Sequence, residues 1–235
     1  MWSGPRNIST ALMRSWENRP DTIVIDEPLY AHYLHHVPVA HPGRDEVMAS
    51  QDTNWESVVR QLTENGQSGA RIFYQKHMAH HLLPHMSRAW LPRLANCFLI
   101  REPRAMLASL TARMGLPELR DTGLEQQVEI FRMIRKQAGE IPPVIDSVDV
   151  LRDPRRILTR LCQAVGVEFM EEMLSWPAGT RGTDGVWAKH WYDAVERSTG
   201  FESPREKQAE LAAELEPLAR QCQPFYEELA QYRIT

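Results

Sequence analysis

The hexapeptide Pro5-Arg6-Asn7-Ile8-Ser9-Thr10 stands directly before a helical pattern, Ala11 to Trp16. Gly4 and Pro5 suit a tight turn, Arg6 brings a fixed positive charge, and Ser9 and Thr10 put hydroxyls beside the unpaired N–H groups of a helix start. Residues of these types, so arranged, cradle a phosphate or sulfate. The nucleotide-triphosphatase spacing G-x-x-x-x-G-K-[ST] is not met: counted from Gly4, Ser9 and Thr10 occupy the second-glycine and lysine positions. The bland alternative is a helix capped by Ser9 or Thr10, with Arg6 in solvent.

A second cationic element follows the apolar run Cys97-Phe98-Leu99-Ile100. Arg101 would stand at the carboxyl end of that strand, where open α/β sheets bind ligands, and Ser109 two turns into the next helix. The alternative is Arg101 paired with an acidic neighbour and Ser109 lying mid-helix. Two general-base candidates also sit at strand ends: Glu27, in the acidic turn Asp26-Glu27-Pro28, and His77, after the run Arg71 to Gln75. Without further context, Glu27 is equally a carboxylate at a helix N-terminus.

Histidines cluster at 32, 35 and 36 and again at 77, 80, 81 and 85. On a helix, His77, His81 and His85 would share one face at i, i+4 spacing. The H-E-x-x-H pattern is absent, so a polar helix face is the favoured reading and no metal is expected.

The elements that must position these residues are of α/β type. Four apolar runs, at 22–26, 71–75, 96–100 and 143–147, read as strands buried on both faces. Helices are expected at Ser9–Glu17, Asn54–Glu64 behind a Thr53 cap, Pro103–Ala112, Leu124–Gln137, Pro154–Val165, and within the last thirty residues. Residues 32–52 read as a loop or short irregular helices, and 177–201 as a glycine-containing loop with exposed Trp187, Trp191 and Tyr192. The expected architecture is a single domain over 1–235, a three-layer α/β/α sandwich with a parallel sheet. Only Met1 and Trp2 precede the anion loop. The strand that should feed it is therefore expected to be truncated or missing, with a start assigned too late as the favoured cause.

These motifs resemble those of the sulfotransferases that use 3'-phosphoadenosine 5'-phosphosulfate (PAPS). That family's first loop reads P-[KR]-S-G-T-T, which Pro5 to Thr10 approximates. Its second motif is a strand, an Arg and a Ser eight residues later, as in Arg101 and Ser109. The run Val148 to Phe169 is similar to its strand, "DP" helix start and "LCxxxGV" ending. The resemblance covers most of residues 1 to 170. It implies a P-loop-like fold and sulfuryl transfer from PAPS to a hydroxyl or amine, leaving adenosine 3',5'-bisphosphate. It also implies that Gly4, Pro5, Arg6, Asn7, Ser9, Thr10, Arg101 and Ser109 hold the donor. Arg6 would stabilise the leaving phosphate, and Glu27 or His77 would activate the acceptor, with Glu27 preferred. By looser analogy Arg197 and Ser198 close over the 3'-phosphate. Asn7 and Ile8 depart from the family's Ser-Gly pair, and Ala11 replaces an aromatic, so adenine packing is assigned to Trp2 or to an aromatic of 187–192.

Composition limits the remaining possibilities. A net charge of −4 gives no general nucleic-acid footprint, and no run resembles a spanning helix or a signal peptide. A small-molecule acceptor and a cytoplasmic location are expected, with no membrane or nucleic-acid partner. Cys97, Cys162 and Cys222 read as buried thiols. Rival readings are a nucleotide-dependent kinase using Asp26 for magnesium, a non-catalytic nucleotide-binding protein, and a metal hydrolase. A pyridoxal-phosphate enzyme has only Lys76 to support it.

Overall fold

The computed structural model describes residues 1–39, 41–64, 69–111, 115–204 and 211–235. Five parallel strands form one sheet: β1 (Trp2–Ser3), β2 (Thr22–Asp26), β3 (Ile72–Met78), β4 (Phe98–Ile100) and β5 (Val144–Asp146), in the order β2-β3-β1-β4-β5. The helices are α1 (Ser9–Glu17), α2 (Tyr30–His36), α3 (Arg44–Ser50), α4 (Trp55–Glu64), α5 (Pro103–Thr111), α6 (Leu119–Thr122) and α7 (Leu124–Ala138). They continue as α8 (Ser147–Arg152), α9 (Pro154–Ala164), α10 (Ala188–Trp191), α11 (Asp193–Arg197) and α12 (Glu216–Ala230).

Alternation along the strands sends successive side chains to opposite faces, so each strand feeds two cores. Val24, Ile72 and Leu99 join α1, α8 and α9 on one side, whereas Ile25, Phe73, Phe98 and Ile100 join α4, α7 and α12 on the other. The result is the expected three-layer α/β/α sandwich. All three cysteines are buried free thiols.

The first strand is present, reduced to two residues and placed at the centre. Trp2 pairs with His77 on one side and Phe98 on the other, and Ser3 with Met78 and Leu99. The ladder is extended by His77 N–H donating to the Met1 carbonyl and Trp2 N–H donating to the Cys97 carbonyl. Because buried backbone groups need partners, this short segment is enough to keep the ends of β3 and β4 paired.

Several expectations need adjusting. Helix α4 is capped by Asn54, whose Oδ1 accepts from Ser57 N–H, and not by Thr53. The expected end of α5 at Ala112 lies outside the described residues. Residues 77–85 are not helical: β3 continues to Met78 and a single 3₁₀ turn, Ala79–His81, follows, which abolishes the expected histidine face. Trp187 and Tyr192 are buried with Tyr30 and Tyr33, and Trp191 packs half-buried against them, so these aromatics are core and not surface.

Candidate active site

The anion loop joins β1 to α1 through two residues in left-handed conformation, Arg6 at φ 61° and Ile8 at φ 62°. A β-branched side chain in that region carries real strain, roughly 1–3 kcal/mol, which persists only where surroundings over-determine it. Ile8 takes this conformation at the place where the resembling family has glycine. It is also the N-cap of α1 and offers no side-chain cap. Ser9 and Thr10 are the first two helical residues and do not cap either. The first turn of α1 therefore has unsatisfied N–H groups, no acidic residue, and the positive end of the helix dipole.

Two cations and a hydroxyl converge there. Arg6 Nε donates to Ser109 Oγ at 3.1 Å across α5, and Arg101 Nη1 donates to the Arg6 carbonyl at 2.5 Å. Arg101 thus braces the loop's strained backbone while burial and the nearby Arg6 charge lower its affinity for its own proton. The location follows from topology. Helix α1 leaves β1 on one face of the sheet and the α5–α7 segment leaves β4 on the other, so the carboxyl ends of β1 and β4 form the switch point at which open α/β sheets bind ligands.

Gly4 and Asn7 serve the loop's packing. A Cβ at position 4 would lie 2.5 Å from the Thr122 carbonyl, so only glycine admits that approach. Asn7 Nδ2 donates to the Leu99 carbonyl at 3.3 Å, tying the loop to β4, and its Oδ1 is buried without a partner. Trp2 is unavailable for adenine: it is buried, stacked on His77 at 4.4 Å, with Nε1 donating to Asn96 Oδ1. Arg197 and Ser198 are not brought to this loop. Ser198 Oγ accepts from Trp176, next to Ser175, whose carbonyl accepts from Asn18 at the opposite end of α1.

A second constellation surrounds Glu27, beyond the end of β2. Lys76 Nζ, on β3, donates to Asp26 Oδ1 at 2.7 Å, to Glu27 Oε1 at 2.6 Å and to Tyr192 Oη at 2.8 Å. Tyr192 donates in turn to Asp26 Oδ2 at 2.6 Å and accepts from Trp187 Nε1. Glu27 itself sits at φ 41°, a second strained position beside polar chemistry.

Burial, together with the Asp26 charge, raises Glu27 to about 7 against the opposing pull of Lys76. Lys76 is pushed well above its ordinary value: burial alone would lower it, but the two carboxylates and Tyr192 overcome that. One ammonium therefore answers two carboxylates, and Glu27 is poised to exchange a proton near neutrality.

The histidine brought to Glu27 is His81, whose Nδ1 lies 3.9 Å from Glu27 Oε2; its ring stacks on Tyr30 and Tyr33. His77 takes the opposite face of β3 from Lys76. Its Nε2 pairs with Gln75 and its ring stacks on Trp2 and touches Trp90, which also contacts Trp2. Burial drives both imidazoles well below the usual histidine range, so both are neutral.

Loop 177–187 closes over this region. Arg14, buried on α1, pairs with Asp184 at 2.7 Å, and Gly185 N–H donates to Asp26 Oδ2. Gly185 is required because the Trp187 ring would lie 2.1 Å from a Cβ there. Ser50 and Gln51 meet Thr183, Asp184 and Trp187 around a cleft of about 370 Å³ that also reaches Asp26. Sequence reading missed these partners because Arg14, Asp184 and Tyr192 are joined only across 116 residues or more.

The model of a family described as a sulfotransferase domain matches residues 1–232. Branched-chain-amino-acid aminotransferase-like protein 1 of Arabidopsis thaliana is 38% identical over 204 residues, which are 87% of this chain and 36% of that protein. The like-named protein 2 of the same plant is 33% identical over 225 residues, 96% of this chain and 40% of that protein. The chain thus spans about two fifths of the length of these curated relatives. Among solved structures, the sulfotransferase domain from the curacin biosynthetic pathway is alike in fold, with a TM-score of 0.55 and 17% identity over 100% of this chain and 97% of that one. Among the described residues, no helix is long and apolar enough to cross a membrane.

Proposed function

The chain belongs to the sulfotransferase domain family, and from that premise we propose that it transfers a sulfuryl group from PAPS to a hydroxyl or amine of a small acceptor. The observation that carries this reading is the convergence of Arg6, Arg101 and Ser109 on the uncapped start of α1. An anionic donor bound there would meet two guanidinium groups and backbone N–H groups already oriented by a strained loop.

In the proposed reaction the acceptor oxygen or nitrogen attacks sulfur, its bond to sulfur forms, and the bond from sulfur to the 5'-phosphate oxygen breaks. The electron pair leaves with adenosine 3',5'-bisphosphate, and Arg6 offsets the charge gathering on that phosphate. Glu27 accepts the acceptor's proton; its affinity near pH 7 suits a general base. His77, committed to Trp2 and Gln75, is not favoured for that task. The segments at 30–52 and 180–201 meet at the 370 Å³ cleft and would select the acceptor.

Two other readings lose support. A kinase would need Asp26 for magnesium, yet both Asp26 oxygens are taken by Lys76, Tyr192 and Gly185. The relatives' name refers to an aminotransferase, but Lys76 is a buried ammonium that donates three hydrogen bonds and is no free amine for a Schiff base. The name belongs to proteins of which this chain matches a minority.

Calorimetry of adenosine 3',5'-bisphosphate against ATP with magnesium tests the proposal. Selective binding of the bisphosphate, lost in Arg101→Ala, is expected. Preference for ATP, or binding of neither, would overturn it.

A further inference from the structure

Away from the anion loop, the chain gathers a set of imidazoles that its spacing did not announce. His32 and His36 lie one turn apart on α2, and His85 reaches them from the segment after the 79–81 turn. The three ring nitrogens lie within 4.8 Å of one another, and His32 Nε2 is 2.9 Å from His85 Nε2. An ion held 2.0–2.1 Å from each nitrogen needs them about 3 to 3.4 Å apart. His36 and His85 are both exposed, so small side-chain rotations close the remaining gap.

The tautomers favour a metal as well. His32 Nδ1 bonds the Thr53 carbonyl at 2.7 Å and His36 Nδ1 bonds the His32 carbonyl at 3.0 Å. A carbonyl only accepts, so each Nδ1 carries a hydrogen, and in the neutral form of each ring the lone pair then stands at Nε2. Backbone carbonyls that orient and polarise an imidazole in this way are the usual outer support of metal-ligating histidines. The same three histidines line a cleft of about 350 Å³, shared with His35, Thr53 and Glu56, which leaves room for a fourth ligand.

We propose that His32, His36 and His85 bind one divalent transition-metal ion, zinc being the ion that three imidazole ligands and an open fourth position suit. The ion ties α2 to the segment around His85, bracing the helix that follows Glu27. It takes no part in the sulfuryl transfer proposed above, and the two ideas stand or fall separately.

The test uses the full chain stripped with a chelator and titrated calorimetrically with ZnCl2, with melting temperature as a second readout. One equivalent of zinc should bind and raise the melting temperature, since a ligand of the native state alone stabilises it. His36→Gln and His85→Gln change exposed side chains, so both should fold, checked by circular dichroism, and each should weaken zinc by about tenfold or more. His190→Gln, outside the cluster, should bind as the parent does. Absence of saturable binding, or equal affinity in the His36 and His85 variants, overturns the proposal. Bisphosphate affinity, measured on the same two variants, should not change; a loss there would overturn the separation of the two sites.

Discussion

The Lys76 ammonium lies 2.6 Å from the Glu27 carboxylate with both groups buried, and it shares itself with Asp26 at 2.7 Å. This sharing leaves Glu27 incompletely neutralised, which is why burial lifts its proton affinity to about 7 while its partner stays charged.

Turnover should accordingly rise with pH through about 7 and then level, as Glu27 loses its proton and becomes a base. Glu27→Gln should lower turnover by roughly 10²–10⁴-fold and remove that limb, with bisphosphate affinity nearly constant. Steady-state kinetics across pH, paired with calorimetry, measures both. A fully active Glu27→Gln protein would sink the assignment of the base.

Stability should move the opposite way. The native Glu27 holds its proton up to about 7, whereas the unfolded chain releases it near 4.5. Between those values the native state binds more protons, so this group's contribution is present below 4.5 and is lost as pH rises through 7. Urea denaturation at several pH values should show that decline in the parent and a flatter profile in Glu27→Gln.

Removal of Lys76 tests the same cluster from its other side. Lys76→Met leaves the Asp26 carboxylate buried beside Tyr192 without its cation, a change that costs about 3–5 kcal/mol. If the variant folds, the pH midpoint of turnover should move upward, because the charge that pulls Glu27 down is gone. An unchanged midpoint would mean that another group sets it.

His77→Ala separates structure from chemistry. The buried ring stacks on Trp2 and touches Trp90, so its loss should destabilise the protein by about 2–4 kcal/mol. Turnover of the folded fraction should stay near the parent's; a large drop with donor affinity preserved would return His77 to the reaction.

Ile8→Gly addresses the strained loop. Glycine accepts φ near 62° without penalty and clears the backbone beside α1. Bisphosphate affinity should rise by about tenfold, roughly 1.4 kcal/mol, when measured calorimetrically. Weaker binding would show that the isoleucine side chain itself supports the site.

Much of this was legible in the chain alone. The four longer strands, the bounds of α1 and the placing of Arg101 after a strand with Ser109 in the helix behind it follow from apolar runs, turn residues and the spacing of a charged group after a strand; that Ser109 meets Arg6 came only from the fold. These signals are local: period, propensity and cap chemistry act over a few residues. What the chain could not announce are the partners chosen across the sheet. That β3 continues to Met78, sending Lys76 to Asp26 and Glu27 but His77 into the opposite core, depends on strand register, and a shift of one residue exchanges the two faces. The two-residue β1 is a strand only because β3 and β4 flank it, since two residues have no periodicity to read. Tyr192 and Trp187 read as exposed loop aromatics and became core because Arg14 and Asp184 hold their loop against α1. Likewise His32, His36 and His85 meet because a helix and a distant turn are folded together, whereas the i, i+4 set at 77, 81 and 85 dissolved once that segment proved to be strand and turn. Local sequence determined the elements and the chemistry they carry; tertiary packing, through register and burial, decided which of those groups face one another and which protons they keep.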